Sequence, residues 1–173
     1  MSTAMLRLYL RPRTAIVIPV PEAAGIVEVT DPGMPPHVTL LWPFARRPRA
    51  RHRRGLAAIA ARHSQFEFAL TQVGTFPGVV YLAPDPADPF VDLTRAIAEA
   101  WPRYQPYGGA YPNLIPHLTV RLGIDPLTDG ERAELEAALP IRCHATEIML
   151  LAPDGEGWRE LYRLPLATTS ETW

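Results

Sequence analysis

Pro36-His37-Val38-Thr39-Leu40 and Pro116-His117-Leu118-Thr119-Val120 are one five-residue pattern, met 80 residues apart in a chain of 173. Every position agrees in type: proline, histidine, aliphatic, threonine, aliphatic. Each copy follows a stretch rich in proline and glycine, Pro21–Pro36 and Arg103–Pro116, which reads as a loop. Each copy then reads as the start of a strand. Side chains two apart on a strand share a face. His37 and Thr39 therefore project together, as do His117 and Thr119. Val38, Leu40, Leu118 and Val120 face the other way, into a core. Two such strands related by a pseudo-twofold axis would set two imidazoles across one groove.

That equipment suits phosphodiester cleavage without a metal. One imidazole takes a proton from the attacking water or hydroxyl, and the other protonates the departing ribose oxygen. Histidine serves both jobs because its ordinary pKa of about 6.5 lets either form exist near neutrality. Threonine hydroxyls can donate to the non-bridging phosphate oxygens, where transition-state charge must be held. Two matched pairs give symmetric roles, so the reaction can run in either direction. One His-x-Thr alone reads more simply as a satisfied strand histidine beside a strand-forming threonine. The repetition is what favours function.

The rest of the chain supplies a frame for these strands. Thr14–Val20 reads as a strand, Pro21–Pro36 as a loop with a short extended piece at Ile26–Thr30, and His37–Leu41 as the second strand. A helix is expected from Arg51 to Ser64. Phe66–Val73 alternates as a half-buried strand, Gly74–Gly78 reads as a turn or bulge, and Val79–Ala83 returns. Asp88-Pro89 opens a helix to Trp101, with proline at the first helical position. His117–Leu122 is a strand, and Thr128 with Glu131 forms a capping box for a helix to Leu139. Cys143–Leu151 and Trp158–Leu166 read as the last two strands. Without strict βαβ alternation, this order predicts an α+β fold with antiparallel sheet.

The paired motif resembles the double signature of the 2H phosphoesterase superfamily, in particular its 2′-5′ RNA ligase-like and cyclic nucleotide phosphodiesterase-like branch. Thr14–Val20, the run Phe66–Ala83 with Thr75-Phe76-Pro77-Gly78, and the approach Tyr111–Val120 are also similar to that family. The resemblance implies a bilobal α+β fold, two pseudo-symmetric antiparallel sheet lobes with outer helices around a central groove. It implies His37 and His117 as catalytic residues and Thr39 and Thr119 as phosphate-binding residues. It also implies hydrolysis of 2′,3′-cyclic phosphates, reversible 2′-5′ ligation, or cleavage of other oligonucleotide phosphodiesters. Residues 1–13 read as a possible N-terminal extension, and 14–173 as one bilobal unit.

Other residues are weaker candidates. Arg121 lies two beyond Thr119, on the expected same face, and is a candidate for the phosphate site. Tyr107 and Tyr111 enter the second motif and are candidates for base stacking; Trp42 and Phe44 read better as packing. All 17 basic residues are arginine, and six of them, Arg46, Arg47, Arg49, Arg51, Arg53 and Arg54, fall within nine residues. That cluster is either a steering surface for an RNA backbone or a solvated helix entrance. His52, His63 and His144 show no ligand spacing with Cys, Asp or Glu, so no metal and no cofactor are expected. No phosphate-binding glycine loop is visible.

The bulk properties are compatible with this reading. Net charge is −1, so contact with nucleic acid must come from a local patch. Cys143 is the single cysteine, so a disulfide within the chain is excluded and a cytoplasmic setting is the default. Ala15–Val20 is too short to span a membrane. The expected partners are RNA ends or nucleotide 2′,3′-cyclic phosphates, with no membrane and no obligate protein partner. A monomer is expected, since one groove uses both motifs. The competing readings are a phosphodiesterase for 2′-5′ oligoadenylate or cyclic oligonucleotide signals, and an RNA- or nucleotide-binding module without turnover.

Overall fold

A computed structural model describes residues 13–28, 31–123 and 125–168. Residues 1–12 of the expected extension, and Val29 and Thr30 of the expected extended piece, lie outside the described residues. The chain forms β1 (Ala15–Pro19), β2 (His37–Leu41), α1 (Ala50–Ala60), β3 (Phe66–Phe76), β4 (Val79–Asp85) and α2 (Asp88–Ala100). It continues through β5 (Leu118–Leu122), α3 (Asp129–Ala137), β6 (Ile141–Ala145), β7 (Glu147–Asp154) and β8 (Gly157–Pro165). Short 3-10 turns occupy Pro21–Ala23 and Pro106–Gly109.

The strands form one eight-stranded sheet in the order β6-β3-β4-β5-β2-β1-β7-β8. Its strand pairs are antiparallel. The α+β class read from the sequence is therefore the observed one. The two lobes are halves of this sheet, β6-β3-β4-β5 and β2-β1-β7-β8. They meet where β2 pairs with β5, at Val38 opposite Leu118.

The period-2 pattern of the motif strands decides which face is buried. Val38, Leu40, Leu118 and Val120 are at most 1% exposed and join the main core with Ile16, Ile18 and Leu150. α2 covers this face with Phe90, Leu93 and Ile97, and Thr94 Oγ1 donates to the Leu40 carbonyl at 2.8 Å. A smaller cluster, Ala15, Val17, Met149 and Leu151, lies on the other face under Met34, Trp42 and Trp158. The loop before β2 straps across it. Trp158 N donates to the Pro32 carbonyl at 2.7 Å. Gly33 has φ +79° and sits so close that a Cβ would lie 1.9 Å from the Trp158 oxygen, so no other residue fits there.

Three expectations are corrected. β3 runs on to Phe76, so Gly74 is a strand residue and not part of a turn. Its glycine has a different cause: a Cβ there would lie 2.2 Å from the Tyr81 ring across the ladder. The expected strand from Cys143 to Leu151 is two strands broken at Thr146; β6 pairs with β3 and β7 with β1. The first helix ends at Ala60, four residues before Ser64.

The break at Thr146 shapes the molecule. One residue separates β6, at one edge of the sheet, from β7, next to the other edge. A flat sheet would hold those strands about 29 Å apart, at roughly 4.8 Å per strand. The sheet must curl until its ends approach, which makes a half-barrel. Backbone bonds from Gln65 N to the Ala167 carbonyl, 2.8 Å, and from Ala167 N to the His63 carbonyl, 2.9 Å, hold the approach.

Candidate active site

The register of β2 against β5 sets the geometry of the motif. With Val38 opposite Leu118 in an antiparallel pair, the next positions set His37 opposite Thr119 and Thr39 opposite His117. All four side chains lie on the face away from α2. Each imidazole faces the hydroxyl of the other copy, and the two imidazoles sit on a diagonal. Diagonal partners of this kind stand about 7–8 Å apart at the backbone, which leaves room for one phosphate between the rings.

The likeness of the two copies extends into their hydrogen bonds. His37 Nδ1 bonds the Pro35 carbonyl at 2.8 Å, and His117 Nδ1 bonds the Ile115 carbonyl at 2.8 Å. In both copies the carbonyl is the one two residues upstream. A carbonyl only accepts, so Nδ1 carries the proton in both rings. Nε2 is then the atom that takes or gives a proton on each ring. Both imidazoles are pushed below the ordinary 6.5, chiefly by burial, and the Nδ1 bonds oppose that push. His37 also feels the positive charge of His117 when that ring is protonated, and in the opposite sense the carboxylate of Asp31.

The copies also share a backbone irregularity. On β2 the ladder to β1 passes from Thr39–Val17 to Leu41–Ile16, leaving Leu40 as an extra residue. On β5 the ladder to β4 passes from Thr119–Tyr81 to Arg121–Val80, leaving Val120 extra. Leu40 and Val120 are equivalent positions of the repeat. A bulge after each threonine turns the next side chain toward the helix face. Leu41 is thereby fully buried. Arg121 is carried away from Thr119, and its Nη1 donates to Glu131 of α3 at 2.8 Å. The expectation that Arg121 shares the threonine face is corrected by this bulge.

His117 is ringed by aromatics. Phe76 and Tyr81 stand edge-on to its ring at 5.3 and 5.5 Å, and are stacked on each other at 4.4 Å. Tyr107 is nearly parallel to it at 6.5 Å, and meets Trp42 at 6.5 Å and Tyr111 at 5.8 Å. Tyr107 has φ +52°, a left-handed conformation that costs an ordinary residue roughly 1–2 kcal/mol. A 2.6 Å bond from its N–H to the Trp42 carbonyl and the turn glycines beside it hold it there. Of the expected candidates, Tyr107 is thus brought to His117, and Tyr111 packs on Tyr107. Phe76 and Tyr81 were missed by sequence reasoning. The alternation Val79-Val80-Tyr81-Leu82 was the available signal, since it puts Tyr81 on the face opposite Val80 and Leu82.

The remaining histidines have structural partners. His52 is buried and its Nδ1 accepts from Arg49 N at 2.9 Å, closing the start of α1. His63 Nδ1 bonds the Ile59 carbonyl at 2.8 Å as α1 ends. His144 is exposed, and its backbone N–H donates to Glu22 at 3.1 Å. Phe44 is packing as expected, enclosed by His52, Trp101 and Tyr104. Among the described residues no three His, Cys, Asp or Glu side chains cluster as metal ligands. Among them, too, no helix is long and apolar enough to cross a membrane.

A half-barrel carrying two inward-matched His–Thr strands defines a class of protein, the two-histidine phosphoesterases. A family model described as the 2′-5′ RNA ligase superfamily matches residues 29–157, and the chain belongs to that superfamily. The fold is found in solved structures of low identity. The crystal structure of a phosphoesterase is 19% identical, with TM-score 0.63 over 91% of this chain and 99% of the other. E. coli LigT in complex with 3′-AMP is 20% identical, with TM-score 0.57 over 90% and 98%. TT0787 of Thermus thermophilus is 16% identical, with TM-score 0.58 over 91% and 99%. No curated protein matches the sequence.

Proposed function

We propose that this protein is a metal-independent phosphoesterase that hydrolyses 2′,3′-cyclic phosphates of RNA-type substrates, with His37 and His117 exchanging acid and base roles. The observation that carries the proposal is the matched pair of imidazoles. Each is locked by Nδ1 to its own backbone, and each stands beside a threonine across the Val38–Leu118 pair. In the forward reaction the Nε2 of one neutral ring accepts a proton from water. The water oxygen bonds to phosphorus, the bond to one ribose oxygen breaks, and Nε2–H of the other ring protonates that oxygen. Thr39 and Thr119 donate to the two non-bridging oxygens. The same ring-opening step with a 5′-ribose hydroxyl in place of water forms the P–O bond of a 2′-5′ linkage and frees the 3′-hydroxyl, with no change in the groups required.

The aromatic ring around His117 supports a nucleoside on that side. Tyr107 and the half-exposed Tyr111 offer base-stacking faces, which are worth about 1–3 kcal/mol per base. E. coli LigT, which shares the fold, has a crystal structure in complex with 3′-AMP. The test is turnover of a panel in EDTA: a 2′,3′-cyclic mononucleotide, a 2′-5′ dinucleotide, a 3′-5′ dinucleotide and a cyclic dinucleotide. The expected result is hydrolysis of the first to a single phosphomonoester regioisomer. Binding of all four without any product would replace the enzyme by a nucleotide-binding module.

A further inference from the structure

The six arginines of the cluster sit where charge balance predicts a missing partner. No Asp or Glu occurs between Asp31 and Glu67. Among the described residues, Arg46, Arg47, Arg49, Arg51, Arg53 and Arg54 make no ion pair, whereas Arg95, Arg121, Arg132, Arg159 and Arg163 each do. Three of the six lie in the first turns of α1, which has no acidic residue there. Cations at that end oppose the helix dipole. The arrangement costs stability, and among the described residues no carboxylate pairs with these six arginines.

The cluster is not a uniform skin of charge. Arg46 and Arg47 line a concavity of about 340 Å³ with Arg159 and Tyr162 of β8. Arg53 lies over the Tyr162 ring at 5.2 Å. Among the described residues, the carboxylate paired at this concavity is Asp154, 4.0 Å from Arg159, and both are exposed. The field reaches inward as well: after burial, Arg51, Arg49 and Arg103 are what hold the His52 imidazole toward its neutral form. The cluster begins four residues after Trp42, whose ring meets Tyr107 beside His117. It lies on the helix side of the sheet, so it is not part of the His–Thr face.

We infer that this concavity binds the sugar–phosphate backbone of single-stranded RNA, holding the substrate at a distance from the bond that is cleaved. Guanidinium forks match phosphate oxygens bidentately. An anionic membrane is the poorer fit. A surface helix that enters a bilayer presents apolar side chains, and among the described residues the exposed large apolar ones, Tyr111, Ile115 and Leu122, all lie outside the cluster. The inference rests on the proposed function for its substrate, and it predicts that the natural substrate is an RNA strand, longer than a mononucleotide.

The test compares wild type with Arg46→Gln/Arg47→Gln/Arg159→Gln. The probe is a fluorescent single-stranded RNA of about 12 nucleotides ending in a 3′-phosphate, a length within the usual reach of such surfaces. Anisotropy is read in EDTA between about 50 and 200 mM salt. The triple variant should bind at least tenfold more weakly, and its salt slope should fall by about 2, since each lost phosphate contact removes about 0.7. Its turnover of a 2′,3′-cyclic mononucleotide should stay within twofold of wild type, which also shows that it folds. The charge-keeping Arg46→Lys/Arg47→Lys/Arg159→Lys variant should recover most of the affinity. Should the glutamine triple variant not fold, Arg46→Gln and Arg159→Gln singly should each weaken RNA binding about threefold. Unchanged affinity and slope in these variants overturn the inference. So does arginine-dependent binding to phosphatidylserine vesicles by a protein that does not bind the RNA. If wild type turns over nothing but binds RNA through these arginines, the proposed function falls and this inference stands.

Discussion

His37 and His117 fix their own tautomers, and that is the residue-scale basis of the mechanism. Each Nδ1 proton is held by a carbonyl two residues upstream, so each ring meets the substrate through Nε2. Catalysis of the proposed kind needs one ring neutral and one protonated. Both pKa values are lowered from 6.5. The protonated ring is lost as pH rises through the lowered value, so kcat/KM should be bell-shaped with its optimum on the acid side of 6.5. A bound phosphate favours the imidazolium, so the kcat profile should lie higher in pH than that of kcat/KM. A plateau extending to about pH 8 in both parameters would contradict paired histidine chemistry. Tyr81→Leu removes one wall of the His117 pocket without touching the phosphate. It should lower kcat about tenfold with little change in KM, measured under saturating cyclic nucleotide. The shared face of His37 with Thr39 and of His117 with Thr119 was legible because strand alternation is strictly local. Tyr81 and Phe76 were not, since their neighbour His117 is remote in sequence.

At the scale of the element, the two bulges matter most. They follow Thr39 and Thr119 at equivalent positions of the repeat and reverse the face of the next side chain. A pattern of alternating residues carries no sign of an extra residue in a ladder, which is why Arg121 was expected beside Thr119. In its observed place Arg121 belongs to α3. Glu131 accepts from Arg121 and from the Thr128 N–H and hydroxyl, and its carboxyl is pulled down to about 2 by these bonds. Two results should follow. Arg121→Gln should leave KM for a cyclic nucleotide within twofold, whereas a guanidinium bound to the phosphate would cost about 1.5–3 kcal/mol. Thr128→Ala should destabilise the protein by about 1 kcal/mol in urea melts without altering turnover. The capping box itself was legible, because Thr128 and Glu131 are three residues apart on one helix start.

At the scale of the whole molecule, the strand order was the part that the sequence concealed. Cys143–Leu151 reads as one strand because its composition is strand-like throughout. Only the pairing of β6 with β3 and of β7 with β1 divides it at Thr146, and those partners lie about 70 to 130 residues upstream. That division curls the sheet about its central pair, β2 and β5. The cost of this arrangement is that several histidines are desolvated together. His37, His52 and His117 all have lowered pKa values, each with burial as the first cause. An unfolded chain binds more protons than the native one between those lowered values and 6.5, so stability rises with pH across that window. The thermal midpoint should therefore fall as pH drops from about 6.5 toward 5, and the fall should be smaller in a His52→Gln variant. A midpoint independent of pH in that range would mean that these rings are not buried as described.

The central claim is that two imidazoles act as one unit on one phosphate. It is tested most directly by turnover of a 2′,3′-cyclic mononucleotide in EDTA by wild type, His37→Ala, His117→Ala and the double variant. Each single substitution should lower kcat/KM by about 10²–10⁴-fold, the usual contribution of a positioned general acid or base. The double variant should be little worse than the weaker single one, because groups that act as a unit are not additive. Hydrolysis that survives the double substitution, or that EDTA abolishes in the wild type, would contradict the account.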